Sequence, residues 1–186
     1  MLAFEGGLGF LALGLGWLCG VAPLATLRFT PGSLVTGILA TVPMLAFFAG
    51  LWFSDAAFLR RIRERVHQAV AELFARASLS EIAVIAGAAG FGEELLFRGF
   101  LQNGLENVIG RWPALAAASV VFGLVHPVTG AYVVIAAVLG LYLGMLWVAT
   151  GNLLTPIVAH GLYDFIALAA IVRLRDSAAG TRHPSM

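Results

Sequence analysis

Apolar stretches long enough to cross a membrane follow one another through most of this chain, and only residues 55–78 are strongly charged. A helical span needs about 20 apolar residues. Six spans therefore nearly exhaust the 186 residues and leave no room for a separate soluble domain. Composition agrees: 11% of the residues are charged and 60% apolar, with a mean hydropathy of +0.94. Soluble domains carry about 25% charged residues. The expected fold is all-α, a polytopic membrane bundle of about six transmembrane helices with one amphipathic surface helix. Residues 1–186 are expected to form a single integral-membrane domain. Within it, 55–78 is an amphipathic interfacial segment, about 80–172 the core, and 173–186 a flexible polar tail.

Spans are expected at about 8–24, 34–53, 81–103, from near Trp112 and Pro113 past His126, 131–150 and 154–172. Glu5 in the N-terminal flank, with no cation beside it, speaks against a cleaved signal peptide. Gly16 and Gly20 form a GxxxG pair that permits close helix approach, as do Gly140 and Gly144. Pro43 should kink the second span. In residues 55–78, Phe58, Leu59, Ile62, Val66, Val70, Leu73 and Phe74 recur at helical spacing between Arg60, Arg61, Arg63, Arg65 and Arg76. That pattern is an amphipathic helix lying on the membrane, its arginines among lipid headgroups. Ser80 with Glu81 marks a helix start. The lone Cys19 cannot form an internal disulfide. No basic, aromatic-interleaved patch suggests a nucleic-acid partner.

Polar groups inside such spans are the candidates for function. A charge at the bilayer centre costs at least about 2.5–3.5 kcal/mol on insertion scales. The segment Gly90-Phe91-Gly92-Glu93-Glu94-Leu95-Leu96-Phe97-Arg98-Gly99 carries three. Glu94 and Arg98, four residues apart, share a helix face and can pair. Glu93 lies about 100° away around the helix and lacks that partner. His126 follows in the fourth span, and His160 and Asp164, again four apart, in the sixth. His67 belongs to the surface helix and His183 to the tail. A carboxylate with an imidazole can activate a water, the one taking a proton and the other orienting the attack. A second imidazole with a hydrogen-bonding neighbour can stabilise an oxyanion. Each group could equally serve helix–helix hydrogen bonding.

Taken together, Glu93-Glu94-x-x-x-Arg98, Phe122-x-x-x-His126 and His160-x-x-x-Asp164 resemble the three ordered motifs of the CPBP intramembrane proteases. That family includes the CAAX prenyl endopeptidases and bacteriocin-processing or self-immunity proteins. The resemblance covers roughly residues 81–172. It implies a glutamic-type intramembrane endopeptidase needing no cofactor or metal, in which Glu93 and His126 activate a water. His160 and Asp164 would stabilise the oxyanion, and Glu94 and Arg98 would form a supporting pair. The implied substrate is a membrane-associated or lipidated protein or peptide reached from the cytosol, whereas the outward-facing site that the charge count gives would fit the C-terminal membrane tail of an exported protein. Many relatives carry Asn where this chain has Asp164. An ionised Asp accepts but cannot donate, so Asp164 acts either as a neutral acid or by orienting His160.

Three other readings remain open at this level. Glu93, His126, His160 and Asp164 are all possible zinc ligands, although no HExxH helix is present. The scaffold could serve non-catalytic immunity or membrane interaction. Chains of Glu and His also act as proton relays in carriers. The arginine distribution places the termini and the surface helix on one side, which the positive-inside rule makes cytoplasmic, in a bacterial inner membrane. Counting along the spans puts Glu93 and His160 at similar depth. His126 falls deeper unless its helix tilts, breaks at Pro127 or ends early.

Overall fold

A computed structural model describes residues 2–74 and 77–180. The described regular elements are all helical: α1 (Leu2–Cys19), α2 (Pro31–Trp52), α3 (Ala57–Phe74), α4 (Leu79–Glu94), a π-helical segment (Leu95–Gln102), α5 (Asn103–Ile109), α6 (Arg111–Leu124), α7 (Gly130–Thr150) and α8 (Leu154–Gly180). Three of them, Pro31–Trp52, Gly130–Thr150 and Leu154–Arg173, are long and apolar enough to cross a membrane; Glu5–Cys19 and Arg111–Leu124 are shorter apolar helices. Large apolar side chains point outward around the bundle, among them Phe10 at 79% and Trp17 at 83% exposure. A bilayer, not water, satisfies such a surface. The all-α membrane bundle is therefore what the chain forms.

Local chemistry sets the ends of the helices. Thr30 caps α2 by accepting from Ser33 N, ahead of a proline in the first turn. Ser78 and Glu81 form a reciprocal capping box at the start of α4. The cap is thus Ser78, not Ser80, because the box needs the carboxylate three residues on. Thr129 caps α7, and Gly151, with φ of 60°, closes it in the left-handed conformation that glycine tolerates. Asn152 then ties two loops together. Its Oδ1 accepts from Arg28 N at 3.1 Å, and its Nδ2 donates to Arg28 O at 2.8 Å and to Ser33 Oγ at 2.6 Å.

α8 packs on α2 and α4, α4 also on α1, and α6 on α7. Small residues make the α4–α8 contact close: a Cβ on Gly90 would stand 2.7 Å from Gly161 N. Gly92 meets α1 likewise, since a Cβ there would collide with the backbone carbonyl of Glu5. These crossings need glycine because lipid gives helices no hydrophobic drive to associate, leaving close van der Waals contact to hold them.

Several expectations are revised. Gly20, with φ of 68°, lies beyond α1, and Gly16 faces Pro23 and the Val21 carbonyl. That pair shapes a turn and not a helix–helix face. The helix after Glu94 widens into π geometry and runs on to Ile109, so the expected gap between the third span's end at 103 and the next span near Trp112 shrinks to Gly110 alone, at φ of 85°. α3 forms the amphipathic helix, but its apolar side is not left to lipid. Val70 and Phe74 are buried with Ile82 of α4 and Ile171 of α8, and Arg63 donates to the Trp52 carbonyl. α8 continues to Gly180 into the expected tail, through residues such as Arg173, Leu174, Arg175, Ala178 and Ala179 that favour helix. His183 lies outside the described residues. Cys19 is free and exposed, and His67 borders a groove with Trp52 and Glu64 that neither His126 nor His160 lines.

Candidate active site

Glu93 and Glu94 end α4, just before the backbone enters the π segment. Such segments are rare and frequently mark functional sites. The wider turn buries Leu95, Phe97, Arg98, Gly99 and Gln102 together. Arg98, 1% exposed, donates from NH1 to Glu94 Oε1 at 2.7 Å and from NH2 to the Gly140 carbonyl on α7 at 2.6 Å. Its guanidinium carbon stands 4.8 Å from the Phe122 ring centroid, within cation–π range. The pairing that the four-residue spacing allows is thus made, and α7 is tied into it.

His160 enters the same cluster from α8. Its Nδ1–H donates to Glu94 Oε1 at 2.9 Å, and its Nε2 lies 3.4 Å from Asp164 Oδ2 one turn further on. Glu94 therefore holds both the buried guanidinium and an imidazole. The spacing of the motif could not reveal this second bond, because 66 residues separate the partners.

Glu93 is placed differently. It is 8% exposed, yet its Oε2 is buried with no hydrogen-bond partner among the described residues. Across from it, 3.7 Å away, stands Nε2 of His126. His126 lies just past the end of α6, whose 14 residues span about 21 Å at 1.5 Å per residue. That helix is too short to cross the ~30 Å hydrocarbon core. The early end brings His126 to the level of Glu93 and removes the depth conflict in the linear count. The ring's orientation is set by its Nδ1–H, which donates to the Phe122 carbonyl at 2.7 Å.

Phe122 is the residue that motif reading undervalues. Its ring packs against Phe97, His126 and His160 at centroid distances of 5.0, 4.7 and 5.8 Å. Its carbonyl fixes one imidazole and its face covers Arg98. Its only trace in the sequence was its place four residues before His126. Glu5 is the other residue missed. It reads as part of an N-terminal flank, but it lines the same cavity as Glu93, His126, His160 and Asp164.

That cavity measures about 290 Å³. Val66, Val70, Leu73 and Phe74 of α3 wall it on one side, and Tyr132 of α7 and Tyr163 of α8 on another. The structure thus gathers Glu93, Glu94, Arg98, His126, His160 and Asp164 from three separate parts of the chain. Among the described residues no three His, Cys, Asp or Glu side chains converge as a metal-holding group.

No curated protein and no solved structure matches the chain. A protein-family model does, described as type II CAAX prenyl endopeptidase Rce1-like, and it covers residues 75–166. The matched stretch contains Glu93, Glu94, Arg98, Phe122, His126, His160 and Asp164. An integral membrane bundle carrying these motifs in order is thus similar, over residues 75–166, to the CPBP/CAAX family of membrane proteases.

Proposed function

We propose that the chain is an intramembrane endopeptidase of glutamic type, in which Glu93 and His126 activate a water for attack on a peptide carbonyl. One observation carries this reading: the 3.7 Å gap between Glu93 Oε2 and His126 Nε2. It is too long for a direct hydrogen bond, and it suits one bridging water. The Nδ1–H of His126 is committed to the Phe122 carbonyl. In the neutral ring Nε2 then bears the lone pair. Both facing atoms accept, so a water between them would donate its two protons and turn its lone pairs toward the substrate. Glu93 would take one proton as base and return it to the leaving amine.

His160, with Asp164, would stand against the oxyanion of the tetrahedral intermediate. Donation from both of its nitrogens at once requires the imidazolium. Glu94 already fixes Nδ1, so Asp164 is not needed to select a tautomer. This favours Asp164 as a neutral donor beside the oxyanion, the role an Asn would fill. Arg98 would hold Glu94 in place, and through it His160. The substrate would be a membrane-associated or lipidated peptide entering the cavity between α3 and the bundle. The protein would sit in a bacterial inner membrane with cytoplasmic termini.

Purified protein in detergent, treated with a strong chelator, should cleave a membrane-anchored peptide substrate. Glu93→Ala and His126→Ala should not cleave it while remaining folded. Full activity in either variant, or loss of wild-type activity on chelation that zinc restores, contradicts the mechanism.

A further inference from the structure

Glu5 has no part in the mechanism above, yet it lines the cavity and its Oε2 is buried without a hydrogen-bond partner among the described residues. It lies within electrostatic range of Glu93, His160 and Asp164. Its position is defined by backbone packing, because the Glu5 carbonyl seats against Gly92, the residue before Glu93. Any side chain at Gly92 would push α1 away. The contact therefore brings the first turns of α1 to the catalytic depth. Glu5 also precedes the residues matched by the family model, 75–166, so it is a contribution of this chain's own N-terminal helix.

The charges around the cavity are unbalanced. Glu5 and Glu93 face it as carboxylates, with Asp164 neutral in the mechanism above, and among the described lining residues only the two imidazoles can carry positive charge. The buried guanidinium of Arg98 is turned away, with its donors on Glu94 and on the Gly140 carbonyl. Glu93 takes the water in the mechanism above, which leaves Glu5 Oε2, buried without a hydrogen-bond partner among the described residues, as the unsatisfied oxygen. A carboxylate without a partner in a low-dielectric pocket calls for a donor, and a cation serves best. The wall adds Tyr132 and Tyr163, aromatic rings of the kind that attract cations.

We propose that Glu5 is a specificity residue, its carboxylate receiving a cationic side chain, arginine or lysine, of the peptide substrate beside the cleaved bond. This rests on the proteolytic reading of the site and names the substrate class that the site selects. Glu93 takes the water, Asp164 stands as a neutral donor beside the oxyanion, and Glu5 is the carboxylate left to bind.

The test uses purified full-length protein and a set of membrane-anchored peptides. A single arginine is stepped through the four positions on either side of the cleaved bond, with citrulline as the neutral counterpart at each. The wild type should prefer arginine over citrulline at one position by about tenfold or more in kcat/KM, the scale of a hydrogen bond to a charged group. In Glu5→Gln that ratio should fall to about one, through a higher KM for the arginine peptide. Glu5→Arg should invert it, and Glu5→Asp should retain part of it. No preference at any position in the wild type overturns the inference, and this arm does not depend on any variant folding. So does a preference that survives Glu5→Gln. Cleavage of none of the peptides, or cleavage by a Glu93→Gln control, instead overturns the proteolytic reading itself.

Discussion

Glu93 and Glu94 are neighbours in sequence and identical in chemistry, and the structure gives them opposite surroundings. Glu94 is fully buried and accepts from Arg98 and from His160 at 2.7 and 2.9 Å. Glu93 faces a cavity, and its nearest ionisable partner is 3.7 Å away. A buried charge with two donors on one oxygen, as at Glu94 Oε1, resists removal but does little chemistry, although Glu94 Oε2, like Glu93 Oε2, has no hydrogen-bond partner among the described residues. A carboxylate facing a gap of one water can exchange a proton. The roughly 100° between consecutive helical residues separates the two roles: one turns toward α7 and α8, the other toward His126.

The comparison breaks most sharply at His126. His126→Ala should lower proteolysis by about 10²–10⁴-fold, the range of general acid–base contributions, with little change in thermal melting. A variant that melts far below the wild type would move His126 into the structural group. Next in size is Arg98→Ala. Removing one partner of a buried ion pair costs about 3–5 kcal/mol, and the Glu94 carboxylate would be left in a dry interior. Its melting temperature in detergent should fall further than that of any substitution at Glu93. The reverse order would reject the division of labour. Gly90→Val tests the scaffold beneath both groups. A side chain there would meet the Gly161 backbone at 2.7 Å, and overpacking of this kind costs about 1–3 kcal/mol. Thermal melting should show destabilisation, with activity lost through the displacement of α8 and His160.

The smallest effect is expected at Asp164. Because Glu94 already holds His160, Asp164→Asn should retain activity to within about tenfold, the scale of one altered hydrogen bond, and lose less rate at high pH than the wild type. A large loss independent of pH would mean that Asp164 works as an anion orienting the ring.

Much of this was legible along the chain. Apolar runs and scarce charge fixed the membrane helices, and the four-residue spacings of Glu94 with Arg98 and of His160 with Asp164 identified faces. What sequence spacing cannot carry is contact across distant segments. The bond from His160 to Glu94 and the seating of Glu5 against Gly92 depend on helix packing that has no local signature. The π segment is equally hidden, since Leu95–Gln102 reads as ordinary helix. The short α6 was the opposite case: the depth conflict at His126 already called for a helix that tilts, breaks or ends early, and Leu124 is where it ends.

The central claim is that adjacent glutamates divide chemistry from support, and exchange of one atom in each tests it most directly. Glu93→Gln and Glu94→Gln should be purified side by side and measured for cleavage of a membrane-anchored peptide and for thermal melting in the same samples. The account predicts that Glu93→Gln loses at least about a hundredfold in activity while melting as the wild type does, and that Glu94→Gln melts at a clearly lower temperature. Wild-type activity in Glu93→Gln, or a greater loss of stability there than in Glu94→Gln, would contradict it.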